Sequence, residues 1–348
     1  MSNPLLQPFN TVPFSKIENK HFLPALHKLI AATKAEIDAI VKNPGAPTFK
    51  NTVEALENTG LQLNRVIAVF FNLNNAETSE ELQKIAQQVS PLLTQFKNDL
   101  LLDQKLFKKV RAVYETRNSF NLNQEEQMLL EKQYRGFSRN GASLSEEKKE
   151  TLRKLDADLS RLKLTFGENV LAETNAYSLH ITNMDQLSGL PGGAKEAAAQ
   201  AAKEKGKEGW LITLDHPSYV PFMKYAENRA LRKKLFIAFG ARGFNNNKNN
   251  NEENVLKIVT LRRQRAQLLS YKSHAHFVLE ERMAKTPAKV GSFLKDLLER
   301  AKPAAQKEFD ALAAFAKKRD GIAQLQKWDN AFYTEKLKQQ RFSLDDEK

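Results

Sequence analysis

The run Trp210-Leu211-Ile212-Thr213-Leu214, stopped by Asp215-His216-Pro217-Ser218, decides how this chain is read. A short apolar run closed by turn-forming residues predicts a buried strand. A helix is expected directly after it. Phe222, Tyr225, Ala226, Leu231, Leu235, Phe236 and Phe239 recur mostly at intervals of three and four, the spacing that gathers side chains on one helical face. Arg242-Gly243-Phe244 closes that helix, and the polar tract Asn245 to Asn251 predicts a loop, because Asn side chains compete for their own backbone. A further helix carries Val255, Ile258, Val259, Leu261 and Leu268 with Arg262, Arg263 and Arg265 among them. The stretch from Gly209 to Pro287 ends on Met283-Ala284-Lys285-Thr286-Pro287.

Working outward, Tyr177-Ser178-Leu179-His180-Ile181-Thr182 alternates in polarity and predicts a second strand, paired with Trp210 to Leu214. Between the strands, Gly192-Gly193 opens an Ala-rich helix over about 194–205; without a downstream Gly-Lys-Ser/Thr it is no phosphate loop. Thr286-Pro287 starts another helix, Pro303 should kink or divide it, and Gly321 ends it. Residues 20–138 read as helices, with capping boxes expected at Asn51/Glu54 and Thr78/Glu81. Leu56, Leu63, Ile67 and Phe70, then Leu82, Ile85, Val89 and Leu92, mark apolar faces that must pack together. Arg135-Gly136-Phe137-Ser138-Arg139-Asn140-Gly141 breaks the pattern. A third capping box at Ser143/Glu146 then opens a long helix carrying Leu152, Leu155, Leu159, Leu162, Phe166 and Val170, of the kind that bridges domains; a coiled-coil dimer through this helix is the rival reading. The expected fold is mainly α: a multi-helix antiparallel bundle with a long bridging helix and a small strand pair. It comprises an N-terminal helical domain over 1–140 and, over 141–348, the long helix, the β element and a helical segment.

The 348 residues, 41% of them hydrophobic, allow two sizeable cores. With no Cys, disulfides, thiol catalysis and Cys-ligated zinc are excluded. No run of about 18 apolar residues occurs and Met1-Ser2-Asn3-Pro4 has no signal-peptide character, so a cytoplasmic protein with no membrane partner is expected. The net charge of +13 invites a nucleic-acid reading. Acids are interleaved with the bases along nearly every helix and no nucleic-acid-binding signature occurs, so none is expected.

The chain resembles the first half of the M3 zinc metallopeptidases, most closely the peptidyl-dipeptidase branch. The resembling residues are Trp210 to Leu214, Asn228 to Phe236, Leu261 to Leu269 with Tyr271, and Met283 to Pro287. Phe14 to Ile17 with His21 to Ala25, Trp328-Asp329 with Ala331-Phe332-Tyr333, and Phe342 to Asp345 extend the likeness over the whole chain. The resemblance implies a two-lobed enzyme whose channel admits short peptides. Zinc and the general base would come from a His-Glu-x-x-His helix, in which two His one turn apart share a face. No His-Glu pair occurs here. No catalytic, cofactor-binding or metal-ligating residue is therefore assigned to this chain: zinc belongs to the full-length enzyme, the partners are short peptides and the missing catalytic domain, and the chain alone is expected to be inactive. The alternative is a truncated helical peptide-binding or interaction module without enzymatic activity.

Other residues offer candidate chemistry of their own. His274 and His276 stand two apart, opposed on a helix, whereas His276 and Glu280 have metal-ligand spacing but make only half a site. His21 and His27 have no useful spacing. Ser218 beside His216 suggests a nucleophile and base, yet Asp215 to Ser218 reads better as a turn. Glu280-Glu281 point apart on a helix, and Arg262, Arg263 and Arg265 can clamp a carboxylate or simply lie on a solvated face.

Overall fold

A computed structural model describes residues 3–343. Within them the chain is mainly α, and no helix is long and apolar enough to cross a membrane. It divides into two compact units, one made of 1–165 with 256–277 and one of 166–255 with 278–348.

The first unit is built on α1 (Phe22–Lys42), whose Ala25, Leu26, Leu29, Ile30, Thr33, Ile37 and Ile40 fall on one buried face. After a wide helical turn, Phe49–Glu54, and the single turn α2 (Ala55–Glu57), the chain enters α3 (Leu61–Ala76) and α4 (Glu80–Leu101). Leu63, Val66, Val69 and Phe70 of α3 and Leu82, Ala86 and Val89 of α4 close over α1, with Phe22 set edge-on to Phe70 at 5.1 Å. Each fully buried Leu or Phe is worth about 1.5–3 kcal/mol, far more than a helix propensity difference, so these contacts fix the bundle. Helices α5 (Gln104–Glu115) and α6 (Gln124–Arg139) add a second cluster around Ile37, Ile40, Leu106, Phe107, Val110 and Phe137. The long α7 (Glu146–Ala176) and α11 (Glu252–Leu268) enter this unit through Leu152 and Leu269, which pack on Leu102.

In the second unit β1 (Leu179–Ile181) and β2 (Trp210–Ile212) pair antiparallel, with Leu179 opposite Ile212 and Ile181 opposite Trp210. The expected pairing is present, in strands shorter than the apolar runs. Helix α8 (Gly192–Glu204) covers β2, and Ala198, Phe222, Met223 and Leu235 bury the sheet face. The single helix expected over residues 222–239 is two: α9 (His216–Tyr225) and α10 (Arg229–Gly240). The break is held chemically. Asn228 accepts the Leu231 N–H at 3.1 Å as an N-cap, and the buried Arg232 guanidinium donates to the carbonyls of Ala226 at 2.7 Å and Glu227 at 3.1 Å. Asp215-His216-Pro217-Ser218 is accordingly a helix start rather than a free turn. α12 (His274–Leu279) is short, while α13 (Pro287–Asp320) is capped by Thr286 and stopped at left-handed Gly321, as expected. Pro303 does not divide it. Near its start α13 leaves Phe293, Leu294, Leu297 and Leu298 exposed; farther along, Leu312 and Ala316 pack on Phe332 and Tyr333 of α14 (Lys327–Phe342).

The caps differ from the sequence expectation by one to three residues. Thr48 with Asn51, rather than Asn51 with Glu54, forms the first box. Ser79 rather than Thr78 accepts the Leu82 N–H, and Ser145 rather than Ser143 accepts from Lys148 at the start of α7. Adjacent Ser, Thr and Asn are chemically equivalent caps, so packing of the following face chooses among them. Leu344 and Asp345 of the resembling segment, and Met1 and Ser2, lie outside the described residues.

Candidate functional site

A cleft of about 550 Å³ in the first unit is lined from α4, α7, α11 and α12. On α7, Asp156, Leu159, Ser160, Lys163 and Leu164 follow one another at helical spacing, so one face of the helix forms a wall. Lys97 and Asn98 come from α4, Arg262 and Arg265 from α11, and His274 and Phe277 from α12. Four permanent or near-permanent cations thus meet a single carboxylate.

That carboxylate is already engaged. Arg265 Nε donates to Asp156 Oδ1 at 2.6 Å and Arg265 Nη2 to Asn140 Oδ1 at 3.3 Å, while its guanidinium lies 5.0 Å from the Phe277 ring centre. Lys97, Lys163 and Arg262 have no ion-pair partner among the described residues. Burial, then Arg262, pushes the Lys163 ammonium below its usual range, although Asp156 pulls the other way. Burial, then Arg262, Arg265 and Lys163, likewise lowers the His274 imidazole. Two polar groups stay unused: the amide of Asn98, a residue only 6% exposed, and the shielded Nδ1 of His274. A protein that gathers charge and buried donors without acceptors leaves a hole suited to negative charge.

Two family models match this chain. Residues 26–149 match the Neurolysin/Thimet oligopeptidase N-terminal domain, and residues 222–348 match Peptidase family M3. Oligopeptidase A of Haemophilus influenzae is 36% identical over 100% of this chain and 51% of its own length. The corresponding protein of Salmonella typhimurium is 34% identical over 100% and 52%. The chain belongs to peptidase family M3. Dipeptidyl carboxypeptidase of Escherichia coli matches this M3 chain equally well, 34% identical over 97% of it and 50% of the relative. The chain spans about half the length of the curated relatives it matches.

Among the described residues no group of three or more His, Cys, Asp and Glu is gathered for a metal. His276 Nδ1 pairs with Ser273 Oγ at 2.8 Å, and Glu280 is the residue that follows α12. His21 Nδ1 accepts the Glu18 N–H at 3.0 Å, and His27 is exposed. Ser218 Oγ accepts the Thr213 N–H at 3.0 Å, while His216 faces the Phe239 ring; the pair closes a strand-to-helix turn and forms no nucleophile and base. Glu280 and Glu281 are both engaged in contacts, and Arg263 is exposed. Of the three arginines, Arg262 and Arg265 come together in the cleft and Arg263 does not.

Lys97, Asn98, Asp156 and Lys163 escaped the sequence reading because they reach the cleft from helices about a hundred or more positions away from α11. Their one local signal is the polar series Asp156, Ser160, Lys163 threaded between the leucines of α7.

Proposed function

We propose that this chain is the non-catalytic half of an M3 zinc peptidase acting on short peptides, of the oligopeptidase or peptidyl-dipeptidase type. It would form one wall of the substrate channel and limit substrate size by shape. The observation that carries this reading is that the chain matches M3 peptidases along its entire length while its own sequence contains no His-Glu pair. The zinc, its ligands and the general base then belong to a segment beyond these residues, and the exposed Phe293, Leu294, Leu297 and Leu298 of α13 are apolar surface for that segment to cover. The interleaving of acids with bases along the helices supports a protein with neither nucleic-acid nor membrane partners. A cytoplasmic location agrees with this and with one relative's name, probable cytosolic oligopeptidase A of Arabidopsis thaliana.

The test is direct. The purified chain is assayed for bound zinc by elemental analysis and for cleavage of a blocked short peptide. The expected result is no stoichiometric zinc and no turnover, with both restored when a downstream segment encoding His-Glu-x-x-His is supplied. One tightly held zinc per chain, or chelator-sensitive cleavage by the chain alone, overturns the proposal.

A further inference from the structure

The geometry points to a binding site for a small polyanion, carrying at least two negative charges as phosphate or carboxylate groups, in the first-unit cleft between Lys97, Lys163 and Arg262. Three helices, α4, α7 and α11, each contribute one of these cations, and none has a carboxylate partner among the described residues. Among the described residues the only acid lining the cleft, Asp156, is committed to Arg265 at 2.6 Å. Like charges held together in a concave wall repel one another even where, as at Lys97 and Lys163, they reach solvent, and a multiply charged anion relieves that repulsion at once. A single carboxylate would leave most of the charge unanswered.

Charge alone would make only a diffuse field; a largely buried amide in its wall makes it a site. Asn98 is 6% exposed and its amide bonds to nothing in the protein although it lines the cleft, which leaves its N–H groups for a ligand oxygen. His274 also lines the cleft, with its Nδ1 shielded from solvent. Buried polar groups are almost always satisfied, so an unmet amide in the wall of a cationic cleft marks a place where an acceptor belongs. A volume of about 550 Å³ holds a pyrophosphate or a tricarboxylate with some of its water. The inference rests on the cleft alone and stands whether or not the peptidase reading does.

The experiment titrates the purified chain with pyrophosphate, citrate and acetate by calorimetry, with ionic strength held constant by sodium chloride. One saturable site is expected for pyrophosphate or citrate and none for acetate at the same concentration. Binding of pyrophosphate alone assigns phosphate as the recognised group, and binding of citrate alone assigns clustered carboxylates. Lys163→Gln, at an exposed position, and Arg262→Gln should each weaken binding by roughly tenfold or more, the usual value of a charged hydrogen bond. No saturable heat, or affinity unchanged in Lys163→Gln with the melting temperature preserved, overturns the site.

Discussion

Arg232 and Asp329, 97 positions apart in sequence, meet at 3.3 Å with 1% and 0% of their side chains exposed. Arg229 completes the arrangement by gripping the same carboxylate with two hydrogen bonds of 2.9 and 2.7 Å. Asp329 thereby ties α10 to α14 and also caps α14 by accepting the Gln326 N–H at 3.0 Å. Asp329→Asn should destabilise the second unit by about 3–5 kcal/mol, because Arg232 is left charged and buried with no counter-ion. Urea unfolding measures it, and a loss below about 1 kcal/mol would show the pair to be dispensable.

Acid should find the same group. Burial pushes the Asp329 carboxyl up, but the Arg229 hydrogen bonds, the Gln326 N–H and Arg232 together hold it below the usual carboxylate range. Its folded value is depressed, so its contribution is fully present above the ordinary value of about 3.9 and is lost as pH falls below it. Asp329→Asn should flatten the acid limb of the stability curve, read from melting temperatures across that range.

The His274 imidazole titrates the other way from a salt-bridged histidine. With its folded value depressed, the unfolded chain takes up a proton first as pH drops through about 6.5, so stability is constant above that point and declines below it. The groups acting on it are Arg262 and Arg265 of α11 and Lys163 of α7. His274→Gln should remove this part of the decline, and the ring proton resonances should titrate below those of a reference imidazole. A raised value would contradict the cationic surroundings.

Gly209 precedes β2 in the left-handed region, φ +85°, and a Cβ there would stand 2.4 Å from the Ile181 carbonyl oxygen. Gly206 has φ +64° and nothing within 4 Å of its Cβ position. Gly206→Ala should cost about 1–2 kcal/mol for backbone conformation alone. Gly209→Ala should cost measurably more, since the strand pair must open to admit it. Equal losses in thermal unfolding would mean that the close approach relaxes freely.

Glu173 is 7% exposed and accepts the amides of Asn245 and Asn247 together with the Gly243 N–H at 3.4 Å. This carboxylate is what organises the asparagine tract. Glu173→Gln sets amide donors against amide donors, and should destabilise by about 1–3 kcal/mol while raising hydrogen exchange over residues 243–251. Unchanged exchange there would show that Glu173 does not hold the loop.

The sequence by itself determined the elements and the family: 3.6-residue periodicity placed the long helices, and one apolar run with one alternating run found the two strands and their pairing. These signals are local, and a helix face or a strand writes them into neighbouring positions. The tertiary structure decided what depends on distant residues. It broke the expected 222–239 helix, because Arg232 finds the carbonyls of Ala226 and Glu227 and then Asp329. It gave Ser218 and His216 ordinary packing roles. It also carried Lys97, Lys163 and Arg262 from three helices to one cleft, since charges interact through space and their spacing along the chain says nothing of where folding will place them.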